Sequence, residues 1–242
     1  MSQLHTIGLV VPFATDDLPI ECPLMYPDVR FIPRGVGVRA LTPEGYEPAW
    51  NGILPAAEDL AKQDVDAIMV IGTSLTFFRG PQAHDWLLKE LRQRTGLPVS
   101  TMSQAIIDGL REVGARRVAV ATAYTDVVNR RLKELLAAAD IEVLALACFD
   151  LLDFGGPSKK TEADIIALSA SALAQADGAE AILISCGGLR TLGVAKPLED
   201  EHGLPVVSSA TAALWAAMRL VGDSGRVAGC GRLLDRANEP VH

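Results

Sequence analysis

Ile182-Leu183-Ile184-Ser185-Cys186-Gly187-Gly188-Leu189 is the stretch on which the fold turns. An apolar run this short, closed by glycine, predicts a parallel-sheet strand buried on both faces. The strand ends on a cysteine and opens into a glycine turn ahead of a helix. Open α/β sheets hold their ligands outside the carboxyl ends of the strands, so the thiol stands where a ligand would. The backbone N–H groups of Gly187 and Gly188 would face an anion held there. An unpaired cysteine is commonly just a small buried apolar residue, and Cys22, Cys148 and Cys230 read that way. The strand-end position and the two following glycines set Cys186 apart as the candidate chemical residue of a cofactor-free enzyme.

Outward from this stretch, the chain echoes itself. Val65–Leu75 lines up with Ala179–Leu189, Gly8–Asp16 with Val118–Asp126, and Gly96-Leu-Pro-Val99 with Gly203-Leu-Pro-Val206. Three matches in one order and at nearly one spacing predict two similar units. Strands are expected near 5–11, 29–33, 66–71, 98–101, 116–122, 141–147, 180–185 and 205–208. Helical patterns fall near 50–63, 82–95, 103–113, 126–139, 161–175, 191–202 and 209–221. This alternation predicts an α/β fold of two pseudo-symmetric Rossmann-like lobes, each a small parallel sheet flanked by helices, with the active site in the cleft between them. The first lobe is placed at 1–99 plus 209–242 and the second at 100–208. In the aligned segments Gly72 occupies the place of Cys186, so one wall of the cleft carries a thiol and the other no side chain.

Composition narrows the function. The 242 residues are 49% hydrophobic, enough for a substantial core. A net charge of −8 argues against a nucleic-acid or anionic-membrane surface. No apolar run approaches the ~20 residues that span a bilayer. Met1-Ser2-Gln3-Leu4-His5 shows no basic region or cleavage site, so a cytoplasmic protein is expected. Four scattered cysteines and four scattered histidines form no metal or disulfide pattern, and neither metal nor cofactor is expected.

Other residues at strand ends add possible chemistry. Gly72-Thr73-Ser74-Leu75 puts two hydroxyls and several N–H groups at a strand-to-helix turn. They could cradle a carboxylate or simply cap the helix. Tyr124 could donate to the same anion or be a half-buried tyrosine satisfied by backbone. Pro12 and Phe13 would line the cleft with apolar surface, while Gly35–Leu41 and Tyr46 could form a lid. Gly35-Val36-Gly37 is a weak echo of a dinucleotide fingerprint, lacks the third glycine, and is followed by Thr42-Pro43, which should interrupt any immediate helix. Arg79 and Arg190 read as solvated or structural.

With these residues in view the chain resembles the arylmalonate decarboxylase family of the aspartate/glutamate racemase superfamily. The resemblance lies in Tyr26-Pro27-Asp28, Thr42-Pro43-Glu44-Gly45-Tyr46, Gly72-Thr73-Ser74-Leu75, Ala121-Thr122-Ala123-Tyr124, Ser185-Cys186-Gly187-Gly188-Leu189 and Leu204–Ser209. It implies cofactor-free decarboxylation of 2-aryl or alkenyl malonates to single-enantiomer acids. Thr73, Ser74 and Tyr124, with N–H groups at Cys186 and Gly187, would form a dioxyanion hole, and Cys186 would protonate the α-carbon. Pro12, Val38, Leu41, Tyr46, Gly72 and Leu75 match substrate-lining positions. Phe13 departs from the second proline of that pattern, and 149–157, which the resemblance implies should close the pocket, matches it poorly. The expected partner is a small dicarboxylate, with no nucleic acid or membrane, and the chain is a monomer or weak homo-oligomer.

The residues support this reaction on their own terms. A racemase needs an acid and a base on opposite faces of a carbon, and Gly72 supplies neither. One proton donor suffices for loss of CO2 followed by protonation. The competing expectations are a racemase or maleate-type cis–trans isomerase of the same superfamily, and a non-catalytic small-acid sensor.

Overall fold

A computed structural model describes residues 5–235. The amino-terminal reading, His242 and the outermost ends of the first lobe lie outside these residues. Strands β1 (Thr6–Val11), β2 (Arg30–Gly35), β3 (Ala67–Val70) and β4 (Val99–Thr101) form one parallel sheet in the order β2-β1-β3-β4. Strands β5 (Arg117–Thr122), β6 (Glu142–Cys148), β7 (Ala181–Ser185) and β8 (Val206–Ser208) form a second, in the matching order β6-β5-β7-β8. Every residue of β3 and β7 is buried, as strands covered on both faces require.

Helices repeat the same scheme. In the first half α1 (Glu21–Met25) follows β1, α2 (Pro43–Leu60) follows β2, and α3 (Thr73–Phe77) and α4 (Pro81–Thr95) follow β3. After β4 comes α5 (Met102–Glu112). In the second half α6 (Asp126–Ala138), α7 (Glu162–Leu173), α8 (Ala195–His202) and α9 (Ser209–Leu220) take corresponding places, and α10 (Arg232–Asp235) follows. The two equivalent helices α5 and α9 pack on each other and exchange sheets: α5 reaches β7 and β8, while α9 returns to β3 and β4. None of the described helices is long and apolar enough to cross a membrane.

The sequence echo has a hydrogen-bonded counterpart. Gly96 and Gly203 are both left-handed, with φ of 67° and 71°, and end α4 and α8. That conformation suits glycine because a Cβ would crowd the backbone. Two residues on, the carbonyls of Pro98 and Pro205 accept from Ile68 and Ile182, each at 3.0 Å. The first strands correspond one residue away from the sequence expectation. Val36 donates to the carbonyl of Val11 where Phe149 donates to that of Thr122, and Val38 to Pro12 where Leu151 donates to Ala123. Val11 therefore matches Thr122, and Phe13 matches Tyr124. The sequence match was drawn by Thr15-Asp16 and Thr125-Asp126, which lie beyond the strands and do not fix register.

Two further expectations are corrected. Thr42-Pro43 starts α2 instead of interrupting it, because proline at the first helical position has no N–H that needs a partner. The Thr42 side chain accepts from the Gly45 N–H at 3.2 Å. The segment expected to form a lid is stitched to both sheets' loops: Gly37 donates to Phe13 at 2.9 Å and Leu41 to Leu152 at 2.8 Å. Val38, Leu41 and Tyr46 are buried.

Candidate active site

The carboxyl ends of β3 and β7 open into one cavity of about 310 Å³. Pro12, Val38, Leu41, Tyr46, Gly72, Thr73, Ser74 and Leu75 line it from the first half, and Cys186 and Gly187 from the second. Ten of the eleven candidate residues thus meet around one space. Tyr124 sits behind the wall, fully buried, with its hydroxyl 3.5 Å from Ser185 Oγ.

At the end of β3 the backbone is bent into a conformation open to glycine. Gly72 has φ 118°, and a Cβ there would lie 3.2 Å from Leu75 Cβ. Gly72 is the N-cap of α3 and offers no side-chain cap, so Thr73 and Ser74 are not capping groups. Thr73 Oγ1 donates to Ser209 Oγ at 2.9 Å. The Thr73 carbonyl accepts from Thr76 Oγ1 and Ser103 Oγ at 3.0 and 2.9 Å, which holds the turn in place. The Tyr46 hydroxyl is buried with no hydrogen-bond partner among the described residues. Burial raises its pKa and the Ser74 hydroxyl beside it pulls the other way, so it remains a neutral donor.

At the end of β7 the thiol is enclosed. Burial pushes Cys186 up to about 11, while the N–H groups of Gly188 and Leu189 and the Tyr124 hydroxyl pull the other way. The group is therefore a thiol at neutral pH. A Cβ on Gly187 would meet Met102 Sδ at 2.7 Å, so a side chain there would have to displace the end of Met102. A Cβ on Gly188 would lie 3.8 Å from Cys186 Sγ, which shows how closely the glycine turn wraps the sulfur.

Tyr124 is held from three sides. Its ring packs edge-on to Phe77, with centroids 5.8 Å apart. Its N–H donates to Thr122 Oγ1 at 3.3 Å, and its carbonyl accepts from Asn129 Nδ2 at 3.1 Å. Burial keeps the phenol protonated, with Cys186 as its nearest acidic neighbour and the hydroxyls of Ser185 and Thr73 beside it. The sulfur of residue 186 and the hydroxyls of Thr73 and Tyr124 thus form one cluster.

Sequence reasoning missed part of the wall. Leu18, Pro19, Ile20, Glu21 and Arg190 also line the cavity, and Phe154 does so from the 149–157 segment that the resemblance expects to close the pocket. Phe13 and Phe154 meet edge-to-face with centroids 6.3 Å apart, bringing the two halves together over the site. Loops and the five-residue α1 carry no periodic signal that could have marked them. Arg190, expected to be solvated or structural, is exposed but stands at the cavity.

The comparisons with known proteins agree with this geometry. The family model described as "Arylmalonate decarboxylase" matches residues 7–234. The arylmalonate decarboxylase of Bordetella bronchiseptica is 39% identical over 233 residues, covering 96% of this chain and 97% of its own length. A solved structure of a glycine-to-cysteine, cysteine-to-serine double mutant of arylmalonate decarboxylase in liganded form superposes with a TM-score of 0.94. It is 38% identical and covers 96% of this chain and 99% of its own. A maleate isomerase of Geobacillus stearothermophilus is 23% identical, covering 97% of this chain and 98% of its own length. The chain belongs to the arylmalonate decarboxylase family.

Proposed function

We propose that this chain is a carboxy-lyase that converts 2-aryl or alkenyl malonates to single-enantiomer 2-arylalkanoic acids. The observation that carries this reading is a buried, protonated thiol sharing a cavity with bare backbone at Gly72. One carboxylate of the substrate is retained by the hydroxyls of Thr73 and Ser74 and the N–H groups of Cys186 and Gly187, with the Tyr124 hydroxyl bracing Thr73 and Cys186 from behind the wall. Thr73 can turn its proton to the substrate because Ser209 can then donate to Thr73 in its place. The other carboxylate leaves as CO2 when its bond to the α-carbon breaks, and the electron pair becomes an enediolate. Preorganised donors stabilise that charge, each by about 3–4 kcal/mol. The aryl or alkenyl group spreads the rest of the charge. Cys186 Sγ–H then gives its proton to the α-carbon, and water reprotonates the thiolate.

Pro12, Val38, Leu41, Tyr46 and Leu75 shape the apolar remainder of the cavity, with Gly72 keeping the opposite face free. The exchange of α5 and α9 supports assigning 1–99 plus 209–242 to one lobe and 100–208 to the other. We further assign a dicarboxylate substrate, a cytoplasmic location, and a monomeric or weakly associating state.

The test is to offer phenylmalonate and follow bicarbonate release and phenylacetate formation. Solvent-deuterium exchange into an enantiopure 2-arylpropionate, with no CO2 from the malonate, would instead favour a racemase. The same absence of turnover with maleate converted to fumarate would favour an isomerase.

A further inference from the structure

One wall of the cavity is the segment Leu18-Pro19-Ile20-Glu21. Leu18 and Ile20 stay 42% and 53% exposed, so this wall forms the mouth, yet Glu21 is only 5% exposed. Among the described residues no side chain ion-pairs or hydrogen-bonds with the Glu21 carboxyl, toward which its own backbone N–H is turned. Burial raises its pKa, and Arg190, which lines the cavity from the other half, is the counter-charge that acts on it. Neither carboxyl oxygen is sealed away without a partner, so in a largely apolar wall this carboxyl is an acceptor that a ligand donor in the cavity can reach.

Like charge also bears on orientation. A carboxylate at Glu21 repels both malonate carboxylates, so this wall must face the substituent. The apolar neighbours Leu18, Pro19, Phe13 and Phe154 suit an aromatic ring. We propose that Glu21 determines specificity by accepting a hydrogen bond from a hydroxyl or N–H on the substrate's aromatic ring, making donor-bearing arylmalonates the preferred class. This rests on the decarboxylase reading of the same cavity.

The experiment compares kcat/KM for 3- and 4-hydroxyphenylmalonate with their methoxy counterparts, whose rings are electronically similar but lack the donor. With the wild-type enzyme one ring position should favour hydroxy over methoxy by about tenfold or more, the scale on which a site built for a hydroxyl rejects an analogue without one. That ratio should collapse toward one in Glu21→Leu and fall to an intermediate value in Glu21→Gln, which keeps an acceptor but loses the charge. Inhibition of the wild-type enzyme by hydroxyphenylacetate and methoxyphenylacetate gives a second readout that needs no variant to fold, and it should show the same preference. Equal kcat/KM for both partners at both ring positions, or a preference that survives Glu21→Leu, overturns the assignment while leaving the decarboxylase reading intact. Failure to decarboxylate phenylmalonate overturns that reading and this one with it.

Discussion

The cysteine at the end of β7 is useful because it is not a thiolate. Burial outweighs the N–H groups and the phenol around it and pushes its pKa up to about 11. The proton needed for the α-carbon is therefore in place at neutral pH. Raising an acid's pKa extends the protonated range upward, so decarboxylation limited by this thiol should be level through pH 7–9 and fall as pH approaches about 11. A kcat/KM profile checks the sign; a nucleophilic thiolate would give a rise over the same range. Replacing the donor should cost about 10²–10⁴-fold, the usual worth of a positioned acid. Cys186→Ala, measured by bicarbonate release alongside a thermal melt, should show that loss with little change in Tm, because the residue contributes little packing volume.

Among the elements, the turn between β3 and α3 sets the asymmetry. Gly72 lies at φ 118°, where a side chain is strained and would press on Leu75. Gly72→Cys should cost stability by about 1–3 kcal/mol, the usual price of a non-glycine residue in such a conformation. It should also introduce α-proton exchange in a 2-arylpropionate, seen by NMR in D2O, at the expense of decarboxylation. Helix α4 carries a separate pH signature. His84 is buried with Nε2 2.7 Å from Thr101 Oγ1, and burial lowers its pKa to about 4. The unfolded chain holds this proton up to its ordinary pKa near 6.5, so stability present above that value is lost as pH falls toward 4. The slope of unfolding free energy over pH 4–6.5 should be shallower in His84→Gln, read by denaturant titration.

At the scale of the whole molecule, the swapped pair α5 and α9 joins the sheets. Gly109 on α5 lets that helix lie close against β8 and α10 of the other half, since a Cβ there would come within 3.1 Å of Val207 Cγ1 and 3.2 Å of Leu233 Cδ2. Gly109→Leu should destabilise by about 1–3 kcal/mol, the range for overpacking, and calorimetry should show one transition moving down as a unit. Two separated transitions would mean that the helices do not couple the halves. Most of this architecture was legible because it rests on periodic signals: the buried runs at β3 and β7, the repeated Gly-Leu-Pro-Val, and the Cys186/Gly72 contrast. The register of β1 was legible only to within a residue, because loop residues outside the strand drew the match. Pro43 was misjudged because its effect depends on whether it falls first or later in a helix. Glu21 reached the site on the five-residue α1, too short for a periodic signal, and Arg190 through a loop, whose path is set by tertiary packing that no local pattern encodes. The most direct test of the whole account is to decarboxylate a prochiral 2-aryl-2-methylmalonate in D2O with the wild-type enzyme and with Cys186→Ala. The expected result is one α-deuterium in a single enantiomer from the wild type and almost no product from the variant. Racemic product from the wild type, or undiminished turnover by the variant, would contradict it.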